Sequence, residues 1–238
     1  MKREEKFEKM EQIKDTFENA AIGFEKLIVK LVPFYDEMVK DLILIIPFEK
    51  NKKIDVIDLG CGTGTLSLKI KKLFPNAQIT CMDMTKNMLE LAKIKLSEYE
   101  NIEYILENFY TFNFNKKYDL AISSLALHHL LTPEDKKKFY QKIFNSLKEG
   151  GWFYNLDILI GPNDEIQNFY MKKWTEFLSQ NLSKERMDKN IEQYYEEDSP
   201  ESIMNHLKWL EEAGFRDVDV IRKYYNFGLY GGKKIALD

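Results

Sequence analysis

Three glycines in five positions, Gly60, Gly62 and Gly64, follow the run Val56-Ile57-Asp58-Leu59. Missing side chains at that density let backbone N–H groups and a helix N-terminus approach a ligand closely, so the loop reads as a cofactor platform between a strand and a helix. A P-loop needs Lys followed by Ser or Thr after its last glycine, and here the chain continues Thr65-Leu66-Ser67. A dinucleotide fingerprint, GxGxxG, needs glycine where Thr65 stands, so NAD or FAD is the weaker reading. Further along, His128 and His129 form the only histidine pair, just beyond the run Tyr118–Ser124. An imidazole there can accept the proton of an oxygen or protonated nitrogen nucleophile. His128 is expected to do so, because His129 directly precedes the apolar pair Leu130-Leu131 and should be the more buried.

These residues need a scaffold, and the punctuation supplies one. Short β-rich runs at IDVIDL, QITCMD, IEYIL, YDLAISS and GWFYNLDIL alternate with stretches of helical period, the pattern of a parallel sheet wrapped by helices. Before them, apolar positions at helical spacing up to a break at Pro33, then from about Tyr35 to Ile46, predict two N-terminal helices. Thr132 is a good N-cap, with Pro133 at the first helical position and Asp135 closing an approximate capping box. Glu149-Gly150-Gly151 is expected to end that helix. A helical insertion is expected from Asn163 to Leu182, followed by a polar stretch to Asp198. Ser199-Pro200 would start a helix ending at Gly214, before two last strands. The expected fold is α/β: a Rossmann-like, doubly wound, seven-stranded sheet, mostly parallel with an antiparallel C-terminal strand. Residues 1–48 would form a helical cap and 49–238 the main domain, with the insertion at about 163–198.

At 238 residues the chain can bury one sizeable core. Its 44% hydrophobic, 13% aromatic and 31% charged content is that of a globular protein, and a net charge of −4 gives no reason to expect a nucleic-acid footprint. Cys61 and Cys81 belong to no CxxC pair and no metal spacing; two reduced thiols in a cytoplasmic protein are expected, with no metal. The N-terminus has no secretory h-region and the longest apolar run, Leu42 to Phe48, is too short to span a bilayer.

The stretch Asp58-Leu59-Gly60-Cys61-Gly62-Thr63-Gly64 resembles the first motif of class I S-adenosylmethionine-dependent methyltransferases. CMDMTKNMLELAK is similar to the second motif, EYILENFYTF to the third, and the segment from YDLAISS to GWFYNLD, with its His-His-Leu, to the fourth and fifth strands. The resemblance covers roughly Ile54 to Asp157, and EEAGFRDVDVIRKYY fits the family's last helix and strand. It implies S-adenosylmethionine as cofactor and S-adenosylhomocysteine as product. Asp58 and the backbone of Gly60, Cys61, Gly62 and Gly64 would hold the methionine end, joined by the Ser123 carbonyl. Asp83 would take the ribose hydroxyls, since a carboxylate is a bidentate acceptor suited to a vicinal diol. Met84, Phe109 and Met88 would lie by the adenine, with Asn108 offering its side-chain carbonyl to the adenine amine.

The acceptor side would be built by the N-terminal helices, the histidine loop and the insertion, with Phe17, Phe24, Tyr35, His129, Tyr170 and Trp174 as contacts. That aromatic content points to a small apolar or aromatic acceptor. The expected partners are therefore this small molecule and, at most, a second copy of the chain in a homodimer, with no membrane. Asp119, at the start of its strand, is expected to be structural. The C-terminal half also resembles carboxy-S-adenosylmethionine synthases of wobble-uridine modification. That resemblance implies a last-helix arginine, where ESIMNHLKWLEEAGF offers only Lys208. A third alternative is a non-catalytic protein that binds S-adenosylmethionine.

Overall fold

The computed structural model describes residues 3–235; the outermost residues of the expected cap and main domain lie outside that range. Three helices open the chain, α1 (Arg3–Ala20), α2 (Phe24–Leu31) and α3 (Tyr35–Leu44). The sequence pattern merges the first two. They divide at Gly23, whose φ of 89° suits glycine, and Ile22 beside it is 92% exposed although its spacing reads as core.

The body follows as β1 (Asp55–Leu59), α4 (Thr65–Leu73), β2 (Gln78–Asp83), α5 (Lys86–Lys95), β3 (Ile102–Leu106), β4 (Tyr118–Ser124), α6 (Pro133–Ser146) and β5 (Leu147–Ile160). A 3-10 turn at Leu127–His129 carries the histidine pair. Then come α7 (Asp164–Asn181), α8 (Lys184–Glu197), β6 (Glu201–Ser202), α9 (Ile203–Glu212), β7 (Arg216–Tyr224) and β8 (Phe227–Lys233).

The strand order is β3-β2-β1-β4-β5-β8-β7. Pairings among β1 to β5 are parallel, and β8 runs antiparallel to both of its neighbours, as expected from the sequence. An eighth strand, the two-residue β6, pairs with the end of β5; it is too short to show a period. Alternate residues of the central strands face opposite layers. Val56, Ile79, Leu120 and Leu156 pack with α2, α3, α4, α7 and α8, whereas Ile57, Ala121, Phe153 and Tyr230 pack with α6 and α9.

Several boundaries follow their local chemistry. The Thr132 hydroxyl accepts the Asp135 N–H at 3.2 Å and Pro133 sits at the helix start, as expected. Glu149-Gly150-Gly151 does not end α6; it lies inside β5, beside a register shift against β4, with Gly150 N–H donating to the Lys234 carbonyl. The polar stretch to Asp198 is itself a helix, α8, held by the apolar positions Met187, Ile191 and Tyr194. Ser202, not Ser199, caps α9 by accepting the Asn205 N–H, because Glu201 and Ser202 are taken up by pairing with β5.

Candidate cofactor and acceptor site

One cavity of about 340 Å³ opens at the C-terminal ends of β1, β2 and β4, the edge where open α/β sheets take ligands. Asp58 lies at its base with its Oδ2 accepting the Ser67 hydroxyl at 2.6 Å. Burial pushes this carboxyl up to about 7, Ser67 opposing and Asp83 adding to the rise. The glycine loop needs its glycines for separate reasons. A Cβ at Gly60 would lie 2.3 Å from the Ala126 Cβ, and one at Gly64 would crowd Ala92 and Leu96 at 3.1–3.2 Å. At Gly62, with φ 52°, a Cβ would meet nothing within 4 Å, and this residue lines the cavity. Its N–H donates to Asp83 Oδ2 at 2.8 Å.

Asp83 also accepts the Thr85 N–H at 2.9 Å and the Thr85 hydroxyl, so three of its roughly four lone-pair sites are engaged. A vicinal diol can therefore take both oxygens only by displacing one of these bonds. Asn108 lines the cavity too, but its Oδ1 already accepts the N–H groups of Tyr110 at 2.9 Å and Thr111 at 3.1 Å. What remains is the Nδ2 amide, a donor for a ring nitrogen rather than the acceptor expected for an amine. Cys61, Met84, Met88 and Phe109 line the same wall. The Cys61 thiol is pushed well up by neighbouring Cys81 and by burial, so it is filler and no nucleophile. Ser123 is off the wall: its hydroxyl donates to the Leu59 carbonyl at 2.8 Å, fastening β4 to β1.

The far side of the cavity is built by α1 and α2 and by the start of α3, through Phe17, Phe24, Ile28, Val29 and Tyr35. Cross-ties fix these helices. Glu18 accepts the Lys86 and Asn87 N–H groups at 2.7 and 2.8 Å, capping α5 from α1. Lys6 pairs with Asp135 at 2.6 Å, and the Thr16 hydroxyl donates to Glu197 at 2.7 Å. Glu25 accepts the hydroxyls of Thr63 and Thr65, joining α2 to the glycine loop.

The structure does not bring all the expected acceptor contacts together. Trp174 is buried behind α2, its Nε1 donating to the Leu31 carbonyl at 2.7 Å, and Tyr170 packs at a tilt against Tyr225, away from the cavity. The insertion thus braces the cap and does not line the site. The histidines also exchange places: His129 is on the cavity wall and His128 is behind it. His128 Nδ1 lies 2.5 Å from Asp157 Oδ1, and its Nε2 lies 3.4 Å from Asp198. Burial alone would lower its pKa, but Asp198 and Asp157 outweigh it and hold it up at about 10. A ring so placed keeps its proton at neutral pH and cannot receive one. Burial, with His128 beside it, pulls His129 down to about 3, leaving it neutral.

Sequence reasoning missed Asp157, Asp198 and Lys136. Lys136 is buried and donates to the carbonyls of Leu127, His128 and Leu130, clamping the histidine turn from α6. One of three consecutive lysines gives no signal for this. Asp157 did leave one, an acid inside the apolar run YNLDILI.

Residues 56–151 match the family model described as a methyltransferase domain. That stretch is a class I S-adenosylmethionine-dependent methyltransferase domain. The chain is 35% identical over 101 residues to malonyl-[acyl-carrier protein] O-methyltransferase 1 of Ilyobacter polytropus, covering 42% of this chain and 37% of that protein. It is 25% identical over 219 residues to carboxy-S-adenosyl-L-methionine synthase of Nautilia profundicola, covering 90% and 91%. The fold matches an O-methyltransferase family 2 protein from Planctomyces limnophilus solved with apigenin, with a TM-score of 0.65, 16% identity and coverage of 93% and 62%. Human N-acetylserotonin methyltransferase solved with its cofactor gives a TM-score of 0.61 at 18% identity, covering 92% and 57%. Among the described residues no helix is long and apolar enough to cross a membrane.

Proposed function

We propose that this chain transfers the methyl group of S-adenosylmethionine to a small acceptor with an apolar or aromatic body. The observation that carries this is one continuous cavity with Asp58, Asp83 and the glycine loop at one side and Phe17, Phe24, Tyr35 and His129 at the other. Its volume, about 340 Å³, lies near the lower end for ligand sites, so beside the cofactor only a small acceptor would fit, under a cap that yields to admit it.

The cofactor brings its own electrophile, a methyl on a sulfonium, so the chain's task is alignment and exclusion of water. Asp58 would take the cofactor's ammonium and become ionised on doing so. The Gly62 backbone leaves room for the methionine end. Asp83 would exchange one loop bond for the ribose, Asn108 would donate to the adenine ring, and Met84, Met88 and Phe109 would flank it. The cap helices would hold the acceptor among aromatic rings, with the neutral His129 imidazole as the polar group that meets it.

A second reading is favoured by the near-full-length likeness to carboxy-S-adenosyl-L-methionine synthases. Against it, α9 contains no arginine, and Lys208 is 69% exposed and faces Glu212 at 3.8 Å, far from holding a carboxylate in the cavity. Incubation with S-adenosylmethionine and a panel of phenols, thiols and amines, read by mass spectrometry, separates the readings. S-adenosylhomocysteine together with a methylated acceptor supports methyl transfer. A carboxylated sulfonium supports the second reading, and tight cofactor binding without any product would leave a binding protein.

A further inference from the structure

Two buried imidazoles and a carboxylate converge where the turn Leu127–His129 meets the end of α8. Asp198 Oδ1 lies 3.4 Å from His128 Nε2 and 3.5 Å from His129 Nδ1, and one donor atom from each of the three residues lies within 4.8 Å of the others. Both ring nitrogens of His129 are buried without a hydrogen-bond partner, in a side chain that is only 6% exposed. A buried polar group left unpaired costs stability, so an orphaned imidazole asks for an occupant.

The spacing selects among occupants. Ligands on a tetrahedral zinc at about 2.0–2.1 Å stand about 3.3–3.4 Å apart, whereas adjacent ligands of an octahedral ion at the same bond length stand only about 3.0 Å apart. The two edges from Asp198 match the tetrahedral value. The third edge, between the two imidazoles, lies within 4.8 Å, so loading would have to draw the His129 ring inward. Behind the cluster, Asp157 Oδ1 holds His128 Nδ1 at 2.5 Å, and Asp157 is itself fixed by the Asn155 amide at 3.1 Å and the Ile158 N–H at 3.0 Å. Such a carboxylate on the far nitrogen is how metal-binding histidines are oriented. The backbone is also drawn together, since Ser199 N–H donates to the His128 carbonyl at 3.1 Å.

We propose that His128, His129 and Asp198 bind one divalent transition-metal ion, zinc(II) by donor set and spacing, just behind the cavity wall to which His129 belongs, the ion displacing the His128 Nε2 proton to solvent. No metal spacing is visible along the chain because Asp198 joins the pair only through the fold. Two nitrogens and one oxygen leave a fourth position for water or for an oxygen or sulfur of the acceptor. The site also pins the end of α8 to the turn after β4, so loading stiffens the brace of the cap. It shares His129 with the methyl-transfer reading, but loading is measured with neither cofactor nor acceptor, so either can fail without the other.

The test uses untagged full-length chain, stripped with chelator and titrated with zinc chloride by calorimetry, with metal content measured after dialysis. One equivalent per chain and a raised melting temperature are expected. Asp198→Asn and His129→Ala should each abolish the retained equivalent, and Asp157→Asn should weaken it about 10- to 100-fold while keeping one equivalent. Should the variants fold poorly, cobalt(II) loading of the wild type decides by itself. The intense visible absorption of tetrahedral cobalt supports the site, and its absence overturns it. Failure of the folded wild type to retain zinc, or retention unchanged in both folded ligand variants, also overturns it.

Discussion

Burial lifts the Asp58 carboxyl to about 7, which ties cofactor affinity to pH. Its folded pKa lies above the ordinary carboxylate value of 3.8, so taken alone this group makes the fold less stable as pH rises from about 4 to about 7. A bound ammonium reverses the preference by favouring the ionised form. Affinity for S-adenosylhomocysteine, measured by calorimetry from pH 5.5 to 8.5, should therefore improve up to about 7 and then level off. In Asp58→Asn the profile should be flat and weak; a wild-type affinity that does not change with pH would remove Asp58 from the cofactor site. Glycine loop variants should divide similarly. Gly60→Ala drives a methyl into Ala126 and should fail to fold stably, whereas Gly62→Ala bears only the left-handed backbone cost of about 1–2 kcal/mol. The Gly62 variant should melt slightly lower and lose cofactor binding, readable by differential scanning fluorimetry with and without ligand.

At the scale of elements, α1 and α2 form the roof of the cavity, and beside small apolar contacts through Met10, Ile13 and Ile28 their ties to the body are polar and partly exposed: Glu18 on α5, Lys6 on Asp135 and Glu25 on the glycine loop. Such attachments open locally at low free energy. Hydrogen exchange should show α1 and α2 slowing on S-adenosylhomocysteine binding while β4 and β5 stay unchanged; equal exchange in α1 and α2 with and without ligand would remove them as a gate. Removing the Trp174 donor with Trp174→Phe should loosen α2 and lower turnover, without changing the residues that face the cavity. The sheet and its order were readable because alternating β-rich and helical periods repeat over the whole body. So was the glycine loop that lines the cavity, since glycines at Gly60 and Gly64 are forced by close contacts within one short loop, whereas Ser123 and the Asn108 oxygen are taken up by partners that only the fold supplies. The acceptor wall was harder to read. Trp174 and Phe24 both sit on helical periods, and only packing decides that Phe24 meets the cavity while Trp174 meets the Leu31 carbonyl. His128 and His129 are neighbours in sequence, and a single 3-10 turn decides which one faces the space.

For the molecule as a whole, the two ends of the sheet carry different kinds of charge. At the end away from the cavity, Asp119 Oδ2 accepts the Asp55 N–H at 2.8 Å and the Lys148 ammonium at 2.7 Å, the structural role expected for it. Asp119→Asn should lower stability by roughly 1.5–3 kcal/mol, the scale of a hydrogen bond to a charged group. Cofactor affinity should be unchanged, which chemical denaturation and calorimetry can check together. The position of β8 bears on how the molecule is made. β7 touches the sheet only through β8, and β8, synthesised after it, takes an interior place beside β5. A nascent chain that has emerged as far as Tyr224 can assemble β1 to β5 but must carry β7 as an unpaired strand, with the Trp152 to Ile158 edge of β5 open. Folding during translation therefore has a late, vulnerable interval, in which a holdase or a second nascent chain could capture that edge before Phe227–Lys233 arrives to close it.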